Sequence, residues 1–554
     1  MRMSWLSRHG VWKIDSLMLA FFALGSFVGI WHALPMLNVI LDEQYFVGGV
    51  LRAIEAKSIL PLATDVPYGT ITFYLNYALQ IPFLITLLAW KGFSIVSLKT
   101  YLVLHPETAY LVPRLLSAIV ASVVALAYDR FLRSEGLSLV QRFAVLSVIF
   151  STIIATVTLH TGKVWVISTV LAGASALCTY IALRNYSLGR PEPMYGPAFW
   201  SIVLVFTALA NFPLVGIFLI NVPLFLYVFR NDAVRLRATG KAILAGILIL
   251  FAVLAANWSN IYSLVIHIFT NFHPILNGGM STQVVPPFST SLVFHFEQAL
   301  VAFPLVIAVI IIAVGTRAIQ NKLLFRLSLM YAGLYFLTIV AVATWFDDTG
   351  GQLHYLFPLA FFFSGMIASV AYENMRHSLW GFCVLQTFVF FYVLYLLSVP
   401  TTFNQADTFI ERNFRSEHAL ILNDVVELSL PLNKETALLQ RDEHCGSKCL
   451  YLRTSAPESD FIPVVVTSQS KIGEVDVAQY SRVLLITDRT SAETCISEPI
   501  KTFQSGSSDE EYVSVERNFG HYFLPDFWRL SRLGKNLVLF EVPKQCAARL
   551  LTVK

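Results

Sequence analysis

Charged residues are scarce in this sequence of 554 residues, and their scarcity excludes whole classes of protein. They make up 13% of the chain, against about 25% in an ordinary soluble domain, while hydrophobic residues make up 56%. A soluble core cannot hide that much apolar surface, so an ordinary soluble protein is excluded. The net charge of +4 is small and scattered, which argues against nucleic acid as a partner.

Cysteine is also rare, with six residues in the chain. Cys178 and Cys383 lie in apolar stretches, and the other four follow residue 400: Cys445, Cys449, Cys495 and Cys546. Four cysteines on the oxidising side of a membrane predict two disulfides, with three pairings open. A zinc site is the competing interpretation, but no second cysteine pair or histidine pair at ligand spacing accompanies the first two.

The N-terminus lacks a signal-peptide cleavage site. Arg2, Arg8 and Lys13 precede an apolar run that reaches about Met36 without an A-x-A motif. We therefore expect a retained first span, with the N-terminus in the cytoplasm.

The hydrophobicity falls into runs of about 20 residues, the length that a bilayer about 30 Å thick demands of a helix. These runs predict about eleven transmembrane helices. Their approximate bounds are 14–38, 113–131, 141–159, 164–183, 198–211, 213–229, 241–257, 294–315, 324–345, 354–372 and 378–398. Lipid is thus the expected solvent of most of the chain.

The run 71–90 decides the topology. Pro82 and the polar Thr72, Asn76 and Gln80 dilute it, which favours a membrane-surface helix that does not cross. Every loop then predicted in the cytoplasm carries Lys or Arg, as the positive-inside rule requires: 130–142, 184–190, 230–241, 316–326 and 373–377. Residues 38–113 become one outer loop with surface helices, and 258–293 a second large outer loop.

From Pro400 the composition turns polar and mixed, with short strand-like runs at 461–467, 482–488 and 536–542. We expect residues 1–399 to form the membrane domain and residues 400–554 a soluble α/β domain on the extracytoplasmic side. The fold class predicted is an α-helical polytopic membrane protein, and a bacterial inner or plasma membrane is the expected location.

Two carboxylates, Asp42 and Glu43, follow the first span directly. An acidic pair often only caps or solvates a helix end. Surface helices of the same outer loop would instead roof the pair over, and desolvation would raise the pKa of a carboxylate enough to make it a general base.

At this point the chain resembles the membrane-embedded GT-C glycosyltransferase superfamily, in particular its protein O-mannosyltransferase and lipid A aminoarabinose transferase branch. Five features in order carry the likeness over about residues 14–400. They are Asp42-Glu43, the segment Val66-Pro67-Tyr68-Gly69 continuing through Phe73-Tyr74, the span from Pro113-Arg114-Leu115 to Tyr128-Asp129-Arg130, the break Leu159-His160-Thr161-Gly162-Lys163, and His354-Tyr355-Leu356-Phe357-Pro358.

The resemblance implies sugar transfer from a polyprenyl-phosphate or diphosphate carrier to a lipid, glycan or protein acceptor, with inversion. Asp42 matches the family's catalytic aspartate, and Glu43 is its supporting neighbour. The departing phosphate needs cations, for which the candidates are His160, Lys163 and His354, and Tyr355 is expected beside them at the phosphate-binding site. Lys163 has the alternative of snorkelling to the membrane surface, and His354 that of an interfacial histidine.

Four further residues are expected in the substrate cleft: Asp65, Tyr68, Trp165 and His273. Many relatives carry an acidic residue just beyond the basic one in the second outer loop, whereas this chain reads Lys163-Val164-Trp165-Val166. No cofactor is therefore assigned, and a divalent metal stays an open question. Asp65 or the pair Asp347 and Asp348 would be the substitutes.

A transporter or flippase of lipid-linked or small polar substrates is the alternative function. Transporters usually show repeated halves and charged or broken helices near the middle of the membrane. This chain shows no internal repeat, and nearly all its ionisable residues lie at the ends of spans. A scaffold for the exported domain is the third class, although anchoring needs far fewer helices.

Overall fold

The computed structural model describes residues 5–34, 36, 43–62, 69–105, 107–262, 288–346, 353–414, 417–425, 428, 465–468, 476–488, 499–506 and 527–546. This part of the chain is mostly helical, with one small sheet near the C-terminus. It divides into two compact units that alternate along the sequence. Unit 1 contains Met1–Val28, Leu60–Leu75 and Arg114–Leu394; unit 2 contains Gly29–Ile59, Asn76–Pro113 and Tyr395–Lys554.

The α-helices of the described residues range from about two turns to more than seven turns. In chain order they are α1 (Trp5–Phe27), α2 (Glu43–Glu55), α3 (Thr70–Trp90), α4 (Ile95–Leu104), α5 (Glu107–Ser134), α6 (Leu139–Phe150), α7 (Ile153–Leu159), α8 (Trp165–Ser187), α9 (Pro197–Asn211), α10 (Asn221–Val228), α11 (Ala233–Ala256), α12 (Phe288–Ala302), α13 (Pro304–Gly315), α14 (Lys322–Phe346), α15 (Phe357–Ala368), α16 (Tyr372–Ser398) and α17 (Thr402–Phe414). Two 3-10 segments, Pro213–Ile220 and Leu353–Leu356, precede α10 and α15.

Several of these helices are long and apolar enough to cross a membrane, which indicates a membrane protein. Among the described residues six pass on length and hydropathy: Thr70–Trp90, Glu107–Ser134, Trp165–Ser187, Ala233–Ala256, Lys322–Val342 and Tyr372–Phe414. The bent pairs α6 with α7 and α12 with α13 raise the number to eight. The predicted figure of about eleven is not confirmed.

The difference has a physical reason in helix length. The predicted spans 198–211 and 354–372 contain helices of only 15 and 12 residues, α9 and α15. At 1.5 Å per residue, these reach roughly 22 and 18 Å, short of a bilayer core about 30 Å thick. The predicted first span, 14–38, is shorter too, because α1 ends at Phe27 and Gly29 follows with φ +94°.

Helix α3, the predicted surface helix, is continuous from Thr70 to Trp90 and long enough to cross. The three polar side chains that dilute the run, Thr72, Asn76 and Gln80, are buried, while Ile85 and Trp90 are among its exposed apolar residues. A helix surrounded by lipid is expected to expose apolar residues and to bury its polar residues. Whether α3 crosses, and with it the facing of the later loops, stays a prediction.

Buried ion pairs join α1, α5 and α6 within unit 1. Arg142 contacts Asp15 at 2.5 Å and Asp129 at 2.7 Å, and Arg133 contacts the same two carboxylates at 3.0 and 2.6 Å. The two aspartates and Arg142 are at most 6% exposed, so each charge depends on its partners for compensation. The network fixes these helices at their predicted cytoplasmic ends.

In unit 2 the C-terminal residues form a five-stranded sheet beside α17. The strands are β1 (Ala419–Asn423), β2 (Val465–Ser468), β3 (Arg482–Thr487), β4 (Pro499–Phe503) and β5 (Leu537–Glu541), in the order β2-β1-β3-β5-β4. β1 is parallel to β2 and β3, and β5 is antiparallel to β3 and β4. The small sheet fits the expected α/β character, whereas the predicted boundary at residues 399 and 400 stays a prediction.

Apolar packing explains why unit 2 includes segments far apart in sequence. Phe403, Ile410 and Phe414 of α17 share a buried cluster with sheet residues such as Ile421 and Leu484. A second cluster joins helices α2 to α5 through these residues: Val47, Leu51, Leu87, Leu102, Ala109 and Tyr110. The predicted outer loop 38–113 is thus largely a packed group of helices.

Cysteine chemistry differs between the two units. Cys178 and Cys383 of unit 1 are free thiols, and Cys546 of unit 2 is disulfide-bonded. The other three C-terminal cysteines, Cys445, Cys449 and Cys495, lie outside the described residues. The choice among the three pairings therefore stays open.

Candidate functional site

The turn between α7 and α8 holds two of the predicted basic residues of unit 1. His160 and Lys163 are 2% and 3% exposed. The turn is tied to α5 by the Ser117 hydroxyl, which donates to the carbonyl oxygen of Thr161 at 2.7 Å. Lys163 therefore does not extend along the protein surface in the way that a snorkelling lysine would.

Arg114 of α5 is a third basic residue at this place, and we did not predict it as a site residue. It lies three residues before Ser117 and so on the same face of α5. It is 1% exposed, and its charge acts on the ring of His160. The available signal was a guanidinium placed directly after Pro113, at the start of an apolar run.

His160 uses its ring for local contacts. Its Nδ1 faces the carbonyl oxygen of Thr156, and its Nε2 lies 3.1 Å from the carbonyl oxygen of Gly25. Burial lowers the pKa of His160; hydrogen bonds to backbone carbonyls oppose this shift and the Arg114 charge reinforces it. The ring thus shapes the turn through its backbone contacts, and the permanently charged groups here are Arg114 and Lys163.

Trp165 and Tyr355, predicted separately, are in contact. Their rings meet edge to face with centroids 4.7 Å apart, and Trp165 also packs on Phe212 at 4.2 Å. The Tyr335 hydroxyl donates to the carbonyl oxygen of Tyr355 at 2.8 Å. Because Trp165 opens α8 directly after the basic turn, unit 1 brings predicted residues from two distant motifs together.

Three asparagine residues form hydrogen bonds with the chain just before α3 and at its start. The Gly69 amide donates to the carbonyl oxygen of Asn211 at 2.8 Å, and the Asn257 side chain donates to the Thr70 hydroxyl at 2.9 Å. The Asn260 side chain donates to the carbonyl oxygen of Leu62 at 2.9 Å. These bonds fix both ends of the segment that contains Asp65 and Tyr68, which themselves lie outside the described residues.

In unit 2, Glu43 is the first residue of α2 and is 1% exposed. A carboxylate in the first turn is favoured by the helix dipole, and the following residues Phe46, Val47 and Val50 are buried with it. Glu43 is therefore not part of an open, solvated rim. Its neighbour Asp42 lies outside the described residues.

The remaining predicted site residues are not placed by the structure. His273 lies outside the described residues, as do Asp347 and Asp348, and the side chain of His354 is likewise not described. In the described part of the chain, no group of three His, Cys, Asp or Glu side chains is arranged to hold a metal ion. The roles assigned to these residues stay predictions.

Two cavities formed by described residues of unit 1 lie elsewhere. A groove of about 570 Å³ is lined by apolar residues of α1, α6 and α16, including Phe21, Phe143 and Phe391. A polar cavity of about 440 Å³ is lined in part by Glu135 and Arg184, which form an ion pair. Neither contains a predicted site residue.

Comparison with known proteins leaves the chain without an assigned relative. No protein-family model, no curated protein and no solved structure matches it.

Proposed function

We propose that this chain is an inverting glycosyltransferase that moves a sugar from a polyprenyl-phosphate-type donor to an acceptor on the non-cytoplasmic face of the membrane. The observation that carries the proposal is the burial of Arg114 and Lys163 on α5 and on the turn before α8, in a unit built of apolar helices. Ionisable residues in such surroundings are costly and usually mark a ligand site. The negative charge of a lipid-linked phosphate would be attracted by these cations, and its lipid tail is soluble in a membrane.

In the proposed reaction the acceptor hydroxyl attacks the anomeric carbon as the bond from that carbon to the phosphate oxygen breaks. Asp42 takes the hydroxyl proton, and polyprenyl phosphate leaves with the bonding electron pair. Arg114 and Lys163 stabilise the negative charge that grows on the departing phosphate. Attack from the face opposite the phosphate inverts the anomeric configuration.

The acidic and aromatic candidates fit subsidiary roles in this scheme. Glu43 is buried at the start of α2, which is compatible with its assignment as the supporting neighbour of the proposed base. Trp165 is buried against Tyr355 beside the basic turn, so the partly exposed Tyr355 ring is the aromatic surface on which a sugar ring would pack.

The test is sugar transfer by the purified chain in lipid, assayed with radiolabelled polyprenyl-phosphate sugars and a mixture of lipid, glycan and peptide acceptors. Asp42→Asn removes the base and keeps the side-chain shape, so we expect transfer to fall by at least about 100-fold, within the range that one general base contributes. Glu55→Gln is the matched control, because Glu55 ends the same helix that Glu43 begins and is exposed. Equal transfer by Asp42→Asn and wild type would remove Asp42 from the mechanism.

A transporter or flippase is the second candidate, and the bent helix pairs favour it. The α6–α7 pair bends by 61° and the α12–α13 pair by 94°, and broken helices are common at transporter substrate sites. At the α6–α7 break, however, the Gln386 amide donates to the carbonyl oxygen of Ser151 at 2.5 Å. This carbonyl is satisfied by protein, not held ready for a substrate. Movement of labelled donor across liposomes without any sugar transfer would favour the transporter.

A further inference from the structure

Helix α3 carries a stripe of buried polar side chains at intervals of four residues. Thr72, Asn76 and Gln80 lie on one face of the helix and are at most 2% exposed. The first and the last are hydrogen-bonded: Thr72 contacts the Asn211 side chain, and the Gln80 Nε2 donates to the carbonyl oxygen of Ala109 at 2.7 Å.

Asn76, the middle residue of the stripe, is different. Its side chain is fully buried, and neither its Oδ1 nor its Nδ2 has a hydrogen-bond partner among the described residues. The Oε1 of Gln80, one turn further on the same face, also lacks a partner in this part of the chain. Both residues belong to unit 2, where an amide pair thus presents one free donor group and two free acceptors.

Buried polar groups are nearly always hydrogen-bonded in proteins, so an unpaired amide marks the place of a missing partner. The donor and acceptors together restrict its chemistry. An anion would accept from Nδ2 but leave both oxygens unpaired, and a cation would leave the nitrogen unpaired. A hydroxyl group donates and accepts, and adjacent hydroxyls satisfy all three atoms.

We propose that Asn76 and the Oε1 of Gln80 form a binding site for the hydroxyl groups of a sugar. The site lies on a helix that is long and apolar enough to cross a membrane, and a sugar that enters such surroundings is one attached to a lipid tail. Sugar binding at Asn76 is independent of the proposed function. Only the statement that the bound sugar is the one transferred in the reaction rests on that function. Asn76 is then a specificity-determining residue, because an amide distinguishes hydroxyl positions on a ring.

The test uses the full chain in lipid nanodiscs, where no glycoside detergent competes. The probes are the octyl glycosides of glucose, mannose and galactose, and octyl tetraethylene glycol ether is the control probe with the same tail and no sugar ring. Affinity is measured by calorimetry and stability by thermal melting. We expect at least one octyl glycoside to bind wild type more tightly than the control probe.

Asn76→Leu and Asn76→Ala remove the amide. We expect them to weaken glycoside binding by about tenfold, the loss of one or two hydrogen bonds, and to leave the melting temperature close to or above that of wild type. Asn221→Leu is the matched control, since Asn221 is equally buried but donates to Ser175 and Ser201 at 3.0 and 3.1 Å. This control should melt at a lower temperature, because it leaves its partners unpaired.

Three results would overturn the inference. They are no preference of wild type for any octyl glycoside, unchanged glycoside affinity in both Asn76 variants, or a melting temperature lowered as much as in the Asn221 control. Unchanged affinity in the variants would mean that an ordered water satisfies Asn76. A lowered melting temperature would mean that Asn76 makes an internal hydrogen bond. Wild type that binds a glycoside but transfers no sugar would contradict only the proposed function.

Discussion

At the scale of single residues, burial changes the meaning of the basic candidates. Lys163 and Arg114 are enclosed by protein, whereas a lysine at a membrane surface normally keeps its ammonium group in water. Both ring nitrogens of His160 face backbone carbonyl oxygens, so the ring has no nitrogen left to offer a phosphate. Within the proposed function, Arg114 and Lys163 are therefore the phosphate-binding residues, and His160 has a positioning role.

Arg114→Gln tests this assignment. We expect kcat/KM for the lipid-linked donor to fall by about 30–150-fold, equivalent to about 2–3 kcal/mol for a lost charged hydrogen bond. Arg114→Lys, which keeps the charge, should recover part of the activity. Initial rates over a donor concentration series provide the measurement.

Arg230→Gln is the control for this series, because Arg230 is exposed and stacks on Tyr227. Its activity should equal that of wild type. Melting temperatures separate loss of binding from loss of fold. A correctly folded Arg114→Gln protein with unchanged kcat/KM would exclude Arg114 from phosphate binding.

At the scale of elements, interior polar groups determine how the helices pack. Helix α3 turns its polar stripe inward and its apolar side outward, and α1, α5 and α6 are joined by alternating charges. Lipid provides no hydrophobic force that would drive helices together, so such polar contacts specify which helices meet. The ion pairs among Asp15, Asp129 and two arginines are the strongest case.

Arg142→Met should destabilise unit 1. It leaves two buried carboxylates to share Arg133, so we expect the free energy of unfolding to fall by about 3–5 kcal/mol. Asp15→Asn combined with Arg142→Met should restore part of this loss by removing one uncompensated charge. Unfolding titrations in mixed micelles measure the difference.

Arg482→Met supplies the contrast for that experiment. Arg482 pairs with Glu541 on the C-terminal sheet with about a third of its side chain exposed, so its loss should cost less than about 1 kcal/mol. Equal destabilisation by the two arginine variants would show that the buried ion pairs among α1, α5 and α6 contribute no more to the free energy of unfolding than an exposed ion pair does.

At the scale of the whole molecule, orientation depends on α3. If α3 lies on the membrane surface, the turn 91–94 that follows it remains outside and the loop 184–190 is cytoplasmic. If α3 crosses the membrane, the turn 91–94 is cytoplasmic and the loop 184–190 lies outside. The positive-inside rule favours the first arrangement.

Cysteine labelling in intact cells distinguishes the two topologies. Phe93 and Leu188 are exposed, at 74% and 53%, and lie in these two loops. We expect Phe93→Cys to react with a membrane-impermeant maleimide from outside, and Leu188→Cys to react only after permeabilisation. The reverse pattern at Leu188 would contradict the predicted topology and the placement of the basic turn on the outer face.

The sequence by itself determined the solvent of this protein and the approximate positions of its helices. Apolar runs of fixed length are a local property, so α5, α8, α11, α14 and α16 were predictable. So was the small sheet after Pro400, whose β3 and β5 fall within the predicted strand-like runs. The number of spans was less predictable, because a bend or a 3-10 segment interrupts a helix without changing its hydrophobicity.

Only the tertiary structure decided which polar side chains are buried and what they contact. Thr72, Asn76 and Gln80 look like dilution of an apolar run in the sequence, and Arg114 looks like an ordinary residue at a span end. Their burial arises from side chains contributed by distant segments, such as Asn211 for Thr72 and Thr161 for Ser117. Because such contacts depend on long-range packing, no local pattern in the chain could have specified them.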